Sequence, residues 1–278
     1  MRKTIGCLGA GQLGRMLALA GIPLGLRFRF LDTKTDAPAQ HLGELLVGDY
    51  EDTALLDRFA DGLDAITWEF ENVPVESARN LEEKLPVFPP PQSLEVGQDR
   101  LFEKRFFRSL SVSTPPFEDI SEEEDVKRAA EDFAFPGMLK TRRFGYDGKG
   151  QRKVASAADL AAAWKDLGSV PCLLEGFVEF DREVSIIAVR SSEDEYAYYP
   201  LVENTHRDGI LALSVPLVED ANPELEQLAQ EYARRALAEL KYVGVLAIEF
   251  FEKDGELLVN EMAPRVHNSG HWTIEGAE

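Results

Sequence analysis

The chain has 278 residues, of which 44% are hydrophobic and 29% are charged, a balance typical of a globular protein rather than of a disordered or fibrous chain. Its 50 acidic and 30 basic residues give a formal net charge of -20, and a surface of that sign repels nucleic-acid phosphates and anionic lipid headgroups. We therefore expect neither a nucleic-acid partner nor a membrane role. Any phosphate site must be built locally from basic side chains, backbone amides and a divalent cation.

The cysteines, Cys7 and Cys172, each lie in an apolar run, so the sequence offers neither a disulfide framework nor a paired-cysteine metal or redox site. The N-terminal apolar segment is too short and too rich in glycine for a signal peptide, and no later apolar run reaches membrane-spanning length. These features predict a cytoplasmic location.

The first 32 residues predict a βαβ unit. Residues 4–8 and 26–31 are predicted strands, residues 15–20 a helix, and the second strand ends at Asp32. The turn Gly9-x-Gly11-x-x-Gly14 fits the dinucleotide-binding fingerprint, so a nicotinamide-dependent dehydrogenase is one hypothesis. The same turn would suit any phosphate, because a helix N-terminus offers unpaired amides. Both hypotheses stay open at this point.

Prolines and helix-capping residues mark where the predicted helices and strands of the next part of the chain begin or end. A strand over residues 65–68 leads into Glu69-Phe70-Glu71-Asn72-Val73-Pro74, and this proline can begin a helix that reaches about residue 84. Residues 88–92 are rich in proline and interrupt helix and sheet. One helix is predicted over residues 93–110, and another begins at residue 121, where Ser121 and Glu124 have capping-box spacing.

The rest of the chain alternates strands with two helices. Strands are predicted near residues 138–140 and 152–154, and at 172–175, 183–190, 196–203, 211–215, 245–252 and 256–261, with helices at 156–167 and 223–241. The fold class is therefore α/β and α+β, in three units of residues 1–98, 99–180 and 181–278. Because residues 273–278 carry no terminating feature, we expect a C-terminal part to be missing.

A strand lysine, Lys140, precedes a basic, glycine-rich hairpin that reaches Gln151. Glycines at positions 145, 148 and 150 would let backbone amides face phosphates, and Lys140 and Lys149 would supply charge. Walker A spacing is absent, which excludes a P-loop NTPase. The pattern predicts a flexible loop that folds over a triphosphate.

Two acidic residues, Glu249 and Glu261, each follow a long apolar run, and Asn260 lies beside the second. Carboxylate and amide oxygens are ligands suited to Mg²⁺, so this pair predicts a magnesium site. Arg265 follows directly and could hold an anionic oxygen bidentately. His267 and His271 are four residues apart, but Asn-Ser-Gly between them disfavours one helix and therefore a zinc pair.

In order and spacing these motifs resemble the ATP-grasp superfamily over residues 98 to 278. The first glycine turn, the Glu69–Pro74 segment, Gln98-Asp99-Arg100 and Asn268-Ser269-Gly270-His271-Trp272-Thr273 are similar to the 5-(carboxyamino)imidazole ribonucleotide synthases within it. The resemblance implies an ATP-grasp fold with an N-terminal Rossmann-like (pre-ATP-grasp) domain, and it assigns a set of residues to ATP. These are Arg100, Lys140, Gly145, Tyr146, Asp147, Gly148, Lys149, Gly150, Gln151, Glu175, Gly176, Phe177, Val178, Glu183, His206, Asn260 and Glu261.

The resemblance also implies the chemistry. Glu249 and Glu261 would hold Mg²⁺, and bicarbonate would attack the γ-phosphorus to give carboxyphosphate, next to Arg265, His267 and Asn268. Aminoimidazole ribonucleotide would be the acceptor in this purine-biosynthetic reaction, and the protein a homodimer. Related ATP-grasp enzymes with formate or biotin substrates remain an alternative. Residues implied at the acceptor are Gln12 and Leu13 near its phosphate, Glu69 or Glu71 near its sugar, and Tyr146 and Asp147 near its amine.

Overall fold

The computed structural model describes residues 2–145, 148–218 and 222–277. The predicted residues Tyr146 and Asp147 lie outside these described ranges. Within them the strands form three sheets, one parallel and two antiparallel, and this confirms the predicted mixture of α/β and α+β structure. No helix in the described ranges is long and apolar enough to cross a membrane.

The N-terminal sheet is parallel, with the strand order β3-β2-β1-β4. Its helices cover both faces, and two apolar clusters form between sheet and helices, one around Trp68 and Phe59 and the other around Phe30 and Ala18. Parallel strands buried on both faces read as short apolar runs, which is why the βαβ unit was visible in the sequence. The elements are β1 (Thr4–Leu8), α1 (Gln12–Gly21), a 3₁₀ turn (Ile22–Leu24), β2 (Arg27–Asp32), β3 (Glu44–Val47), α2 (Thr53–Ala60), β4 (Ala65–Trp68), α3 (Val75–Glu82) and α4 (Pro91–Gly97).

The second sheet is antiparallel, in the order β5-β8-β6-β7, and two helices pack on it around Leu139 and Leu174. We call this unit the lid. A helix, α5 (Arg100–Ser109), leads into it. Its elements are β5 (Phe117–Ile120), α6 (Glu123–Asp132), β6 (Gly137–Thr141), β7 (Gln151–Val154), α7 (Ala157–Asp166) and β8 (Cys172–Gly176).

The third sheet is also antiparallel, in the order β12-β11-β9-β13-β14, with β10 paired to β9. Helices α8 and α5 contribute Leu237 and Phe107 to its apolar core beside Phe250. The elements are β9 (Arg182–Arg190), β10 (Tyr196–Tyr198), β11 (Val202–Arg207), β12 (Ile210–Pro216), α8 (Pro223–Glu239), β13 (Gly244–Lys253), β14 (Glu256–Ala263), a 3₁₀ turn (Asn268–Gly270) and α9 (Thr273–Gly276).

Three predictions of local structure were wrong. The predicted helix over residues 93–110 is two helices, because Asp99 leaves the helical conformation and its carboxylate caps α5 by accepting the N–H of Leu101. The predicted strand over residues 196–203 is divided into β10 and β11, and Pro200, which has no N–H for a sheet ladder, lies in the break.

The third error concerns the start of α6. The N–H groups of Ser121 and Glu122 both donate to Asp125, at 2.9 and 3.1 Å. The capping box is therefore formed by Glu122 and Asp125 rather than by the predicted Ser121 and Glu124.

Candidate functional site

A cleft of about 580 Å³ lies between the lid, the third sheet and the edge of the N-terminal unit. It gathers residues that are distant in sequence, and most of the predicted site residues line it. Among the described residues in the prediction, Gln12, Glu69 and Gly150 are not in its lining. Those that line it are Leu13, Glu71, Arg100, Lys140, Gly145, Gly148, Lys149, Gln151, Glu175, Gly176, Phe177, Val178, Glu183, His206, Glu249, Asn260, Glu261, Arg265, His267 and Asn268.

The hairpin between β6 and β7 forms the roof of the cleft. Lys140 pairs with Gln151 across the two strands, and the Thr141 N–H donates to the carbonyl oxygen of Gly150 at 2.8 Å. Gly150 has a φ of +71°, and a Cβ there would come within 2.6 Å of the Thr141 hydroxyl. Only glycine fits this position without displacing its neighbour, and the turn consequently keeps its backbone close to Lys140.

Glu249 on β13 and Glu261 on β14 are direct partners across the strand pair, next to a bulge that follows Glu249. Burial, and then the charge of Glu261, raise the pKa of Glu249. Burial also acts on Glu261, but Arg100 and Lys140 outweigh it and lower the pKa of that carboxyl. Arg100 contacts Glu261 at 2.9 Å. Since burial and the neighbouring charge disfavour the ionised form of Glu249, a cation bound by both carboxylates would favour their joint ionisation.

The donor set fits magnesium. The carboxylates of Glu249 and Glu261 and the side-chain oxygen of Asn260 are hard oxygen ligands, and Mg²⁺ commonly takes one or two carboxylates and completes its shell with water and substrate phosphates. Within the described ranges, no group of three or more His, Cys, Asp or Glu side chains is arranged to hold a metal ion.

Lys104 and Lys140 share one buried carboxylate. Glu175 on β8 contacts Lys104 at 2.8 Å and Lys140 at 2.5 Å. Burial raises the pKa of Glu175, but the two ammonium groups more than compensate and hold it at about 2. Lys104 also donates to the carbonyl oxygens of Val259 and Asn260, at 2.8 and 2.6 Å. Glu175 was predicted to bind the nucleotide, whereas no role was predicted for Lys104.

The far end of the cleft is aromatic. Phe180 and Phe251 stack with their ring centroids 5.0 Å apart and their planes 8° apart, and both line the cleft. Nearby, His206 contacts Glu183 at 2.7 Å, and this hydrogen bond raises the pKa of the imidazole. Neither phenylalanine was predicted. Phe251 lies in β13, where an aromatic residue is far more often part of the core, and Phe180 lies in the loop between β8 and β9, where a single aromatic residue gives no signal.

At the opposite end, Arg265 forms an ion pair with Glu71, and its Nη1 donates to the carbonyl oxygen of Val266 at 2.9 Å. Its Nε is buried and has no hydrogen-bond partner. His267 lies 3.3 Å from Glu249, and burial followed by the charge of Arg265 lowers the pKa of its imidazole to about 4. The guanidinium of Arg265 is therefore fixed in position, its Nε–H remains without a hydrogen-bond partner, and an uncharged histidine lies beside it.

The glycine turn of the N-terminal unit is occupied from within the chain. The carboxylate of Glu69 accepts the N–H of Gly11 at 2.5 Å and that of Gly14 at 2.7 Å, and Asp32 accepts the N–H of Ala10 at 2.8 Å. These amides are the ones that a dinucleotide pyrophosphate would use. The dehydrogenase hypothesis assumed that these amides bind a pyrophosphate. It is therefore wrong, because a carboxylate of the protein already binds them.

Comparison with known proteins agrees with this geometry. A family model described as "ATP-grasp domain" matches residues 105–278, and one described as "Ribonucleotide synthetase preATP-grasp domain" matches residues 1–98. The N5-carboxyaminoimidazole ribonucleotide synthase of Pseudomonas aeruginosa is 54% identical over 274 residues, which cover 99% of this chain and 75% of the relative.

Solved structures give the same result. A crystal structure of the Thermus thermophilus N5-carboxyaminoimidazole ribonucleotide synthetase superposes with a TM-score of 0.93 at 56% identity, covering 99% of this chain and 74% of that one. The Aspergillus clavatus synthase, solved in complex with ADP and 5-aminoimidazole ribonucleotide, superposes with a TM-score of 0.87 at 28% identity, over 99% of this chain and 73% of that one. The chain belongs to the N5-carboxyaminoimidazole ribonucleotide synthase family of ATP-grasp ligases.

Proposed function

We propose that this protein carboxylates 5-aminoimidazole ribonucleotide with bicarbonate at the expense of ATP, giving 5-(carboxyamino)imidazole ribonucleotide, ADP and phosphate in purine biosynthesis. One observation carries the proposal beyond family membership. A single cleft contains the basic residues Arg100 and Lys140 and the acidic pair Glu249 and Glu261. It also contains Arg265, whose guanidinium is fixed by an ion pair. Such a cleft can activate one anion with a nucleotide and pass the product to a second substrate.

The nucleotide lies between the lid and the third sheet in this proposal. Lys140, Lys149 and the amides of the glycine hairpin contact the phosphates, with Arg100 beside them. The base lies toward Val178, between the hairpin and the stacked Phe180 and Phe251, where aromatic faces favour a flat heterocycle. Glu183 and His206 form a hydrogen-bonded pair at the ribose.

Glu249 and Glu261, with Asn260, would hold Mg²⁺, which when bound neutralises phosphate charge during phosphoryl transfer. The protein's own contribution is electrostatic. Arg100 and Lys140 lower the pKa of Glu261 and so keep it ionised and ready to bind a cation. Burial, and then the charge of Glu261, raise the pKa of Glu249, so a bound cation would favour the ionised form of both carboxylates.

Bicarbonate binds at Arg265 in this proposal. The guanidinium is fixed by Glu71 and retains an unpaired Nε–H that can donate to an anionic oxygen. The bicarbonate oxygen attacks the γ-phosphorus, the bond to ADP breaks, and carboxyphosphate forms. Arg265 stabilises the negative charge on the carboxyl oxygens, while Asn268 and the neutral imidazole of His267 lie next to them.

The acceptor binds where the N-terminal unit meets the cleft, near Leu13 and Glu71. Its amine attacks the carbonyl carbon delivered from carboxyphosphate, and phosphate leaves. Gln12 begins α1 and is exposed, so a substrate phosphate would use the amides of Gln12 and Leu13 instead of those held by Glu69. Tyr146 and Asp147 remain proposed for the amine. A homodimer is part of the proposal on family grounds alone.

The test is ADP release with Mg-ATP in four reactions that contain bicarbonate, aminoimidazole ribonucleotide, both, or neither. Bicarbonate-free reactions use degassed buffer, and formate serves as a competing carboxylate. Turnover that requires both substrates supports the proposal. ATP turnover that requires formate would indicate that formate, and not bicarbonate, is the acid substrate, as in another ATP-grasp activity. No turnover with any combination would contradict the proposal.

A further inference from the structure

Lys104 is a fully buried cation that lies behind the nucleotide cleft. It is 0% exposed, on the face of α5 that also buries Leu101 and Phe107. A buried ammonium is costly unless charge and hydrogen bonds compensate it. Here the compensation comes from Glu175 and from the backbone of β14.

The contacts of Lys104 close a ring that joins the lid to the third sheet. Lys104 contacts Glu175 of the lid, Glu175 contacts Lys140, and the Lys140 ammonium lies 3.4 Å from the side-chain oxygen of Asn260. The backbone oxygen of Asn260 accepts from Lys104, which completes the ring. Of the two lysines, Lys140 lines the cleft and Lys104 does not.

The net charge of this ring sets the electrostatic potential in the adjacent part of the cleft. Glu175 contacts both ammonium groups, so two positive charges and one negative charge leave a net charge of +1. Without Lys104, Glu175 would neutralise Lys140 alone and the net charge would be zero. In a buried setting such a charge is weakly screened, so its loss acts strongly on a bound anion.

We propose that Lys104 is a positioning residue that neutralises Glu175 and thereby leaves the charge of Lys140 available to the nucleotide phosphates. Through its bonds to the carbonyl oxygens of residues 259 and 260, Lys104 also fixes the segment of β14 that carries Asn260 and Glu261. The inference rests on the proposed nucleotide site, but it concerns binding and does not depend on the identity of the acceptor.

The first variant is Lys104→Gln, because an amide can still donate to a carbonyl oxygen while the charge is lost. We expect ADP, measured by calorimetry, to bind at least about tenfold more weakly than to the wild type, equivalent to about 1.4 kcal/mol. Arg105→Met is the matched control, since it removes one positive charge from an exposed position on the same helix. Its ADP affinity should stay within about twofold of the wild type.

The double variant Lys104→Gln/Glu175→Gln separates charge from structure. It removes one charge of each sign and restores the net charge of +1, and removal of both members of a buried pair is often tolerated. We expect it to bind ADP at least about threefold more tightly than the single variant. A double variant no tighter than the single one, or a folded single variant within twofold of the wild type, would overturn the proposal.

Folding is checked by circular dichroism and thermal unfolding. If Lys104→Gln does not fold, the double variant decides, because a folded double variant with more than tenfold weaker ADP binding contradicts the charge argument. The outcome is independent of the reaction. A wild type that binds ADP but carboxylates nothing would overturn the proposed function and leave this test intact.

Discussion

Glu71 and Arg265 form an ion pair that joins the segment after β4 to the segment after β14. The indole N–H of Trp68 donates to the carbonyl oxygen of Pro264 at 3.0 Å and reinforces the same junction. The N-terminal unit therefore touches the ATP-grasp part through the residue that we propose for bicarbonate. This arrangement brings the N-terminal unit, which we propose to bind the acceptor, next to the proposed site of carboxyphosphate formation.

Replacement of Arg265 by methionine should impair chemistry more than nucleotide binding. We expect kcat to fall by roughly 10²- to 10³-fold, the loss typical of one missing oxyanion donor. ADP affinity should change by less than about threefold, because Arg100 and Lys140 remain. The measurements are steady-state ADP release and calorimetry, with Arg128→Met on the exposed surface of α6 as the control. A kcat close to that of the wild type would remove Arg265 from the mechanism.

Magnesium dependence should respond to the acidic pair. Glu249→Gln and Glu261→Gln each remove one of two carboxylates, so the Mg²⁺ concentration for half-maximal ATP turnover should rise at least about tenfold. Glu256→Gln is a matched control, because Glu256 lies on β14 with Glu261 but is exposed. An unchanged Mg²⁺ midpoint in both cleft variants would argue that the ion binds elsewhere.

Loss of Lys140 should weaken nucleotide binding without unfolding the protein. Lys140→Ala removes the ammonium on β6 at the base of the hairpin, and we expect ATP affinity to fall by roughly tenfold or more. Lys104 still pairs with Glu175, so the buried carboxylate keeps a counter-ion. Lys127→Ala on the exposed face of α6 serves as the control. Normal ATP affinity in a folded Lys140→Ala protein would contradict the phosphate role.

The sequence predicted the parts of this site that carry a local signal. Lys140 precedes a glycine hairpin, and Glu249 and Glu261 each follow an apolar run, so all three could be predicted as site residues, and all three line the cleft. Lys104 was missed, although one signal was present. A lysine at position 104 interrupts the apolar stripe formed by Leu101 and Phe107 on α5, and a cation in such a stripe must be paired.

Other features depend on contacts that the sequence does not display. Glu69 or Glu71 was predicted near a substrate sugar, and no sequence pattern indicated that the carboxylate of Glu69 accepts the N–H groups of Gly11 and Gly14, which lie 58 and 55 residues away. The edge strand β3 was also missed, because its four residues, Glu44–Val47, give too short a pattern to identify. Contacts between residues that are distant in sequence, and not residue type, determine both the partners of Glu69 and the pairing of β3.

The buried carboxylate of Glu175 should make stability depend on pH in the acid range. Its folded pKa is about 2, below the ordinary value of 4.5, because Lys104 and Lys140 outweigh the effect of burial. The stabilisation is therefore present above pH 4.5 and is lost as the pH falls from 4.5 toward 2. A shift of this size corresponds to roughly 3 kcal/mol.

Urea unfolding of the wild type and Glu175→Gln, at intervals from pH 7 to pH 3, measures this contribution. The wild type should be more stable at pH 7, and the difference between the two proteins should shrink toward pH 3. Glu179→Gln, four residues away and exposed, should show no such convergence. A stability difference that does not change with pH would show that the two lysines do not hold the carboxylate ionised.

Ligand-induced stabilisation should distinguish ATP from NAD. Mg-ATP at about a hundred times its dissociation constant should add about 2.7 kcal/mol to the free energy of unfolding. NAD should add nothing, since Glu69 already occupies the amides of Gly11 and Gly14 and would repel a pyrophosphate. Thermal unfolding with each nucleotide provides the comparison. Stabilisation by NAD alone would mean that Glu69 leaves the glycine turn, and the anion site of the N-terminal unit would then be open to dinucleotides after all.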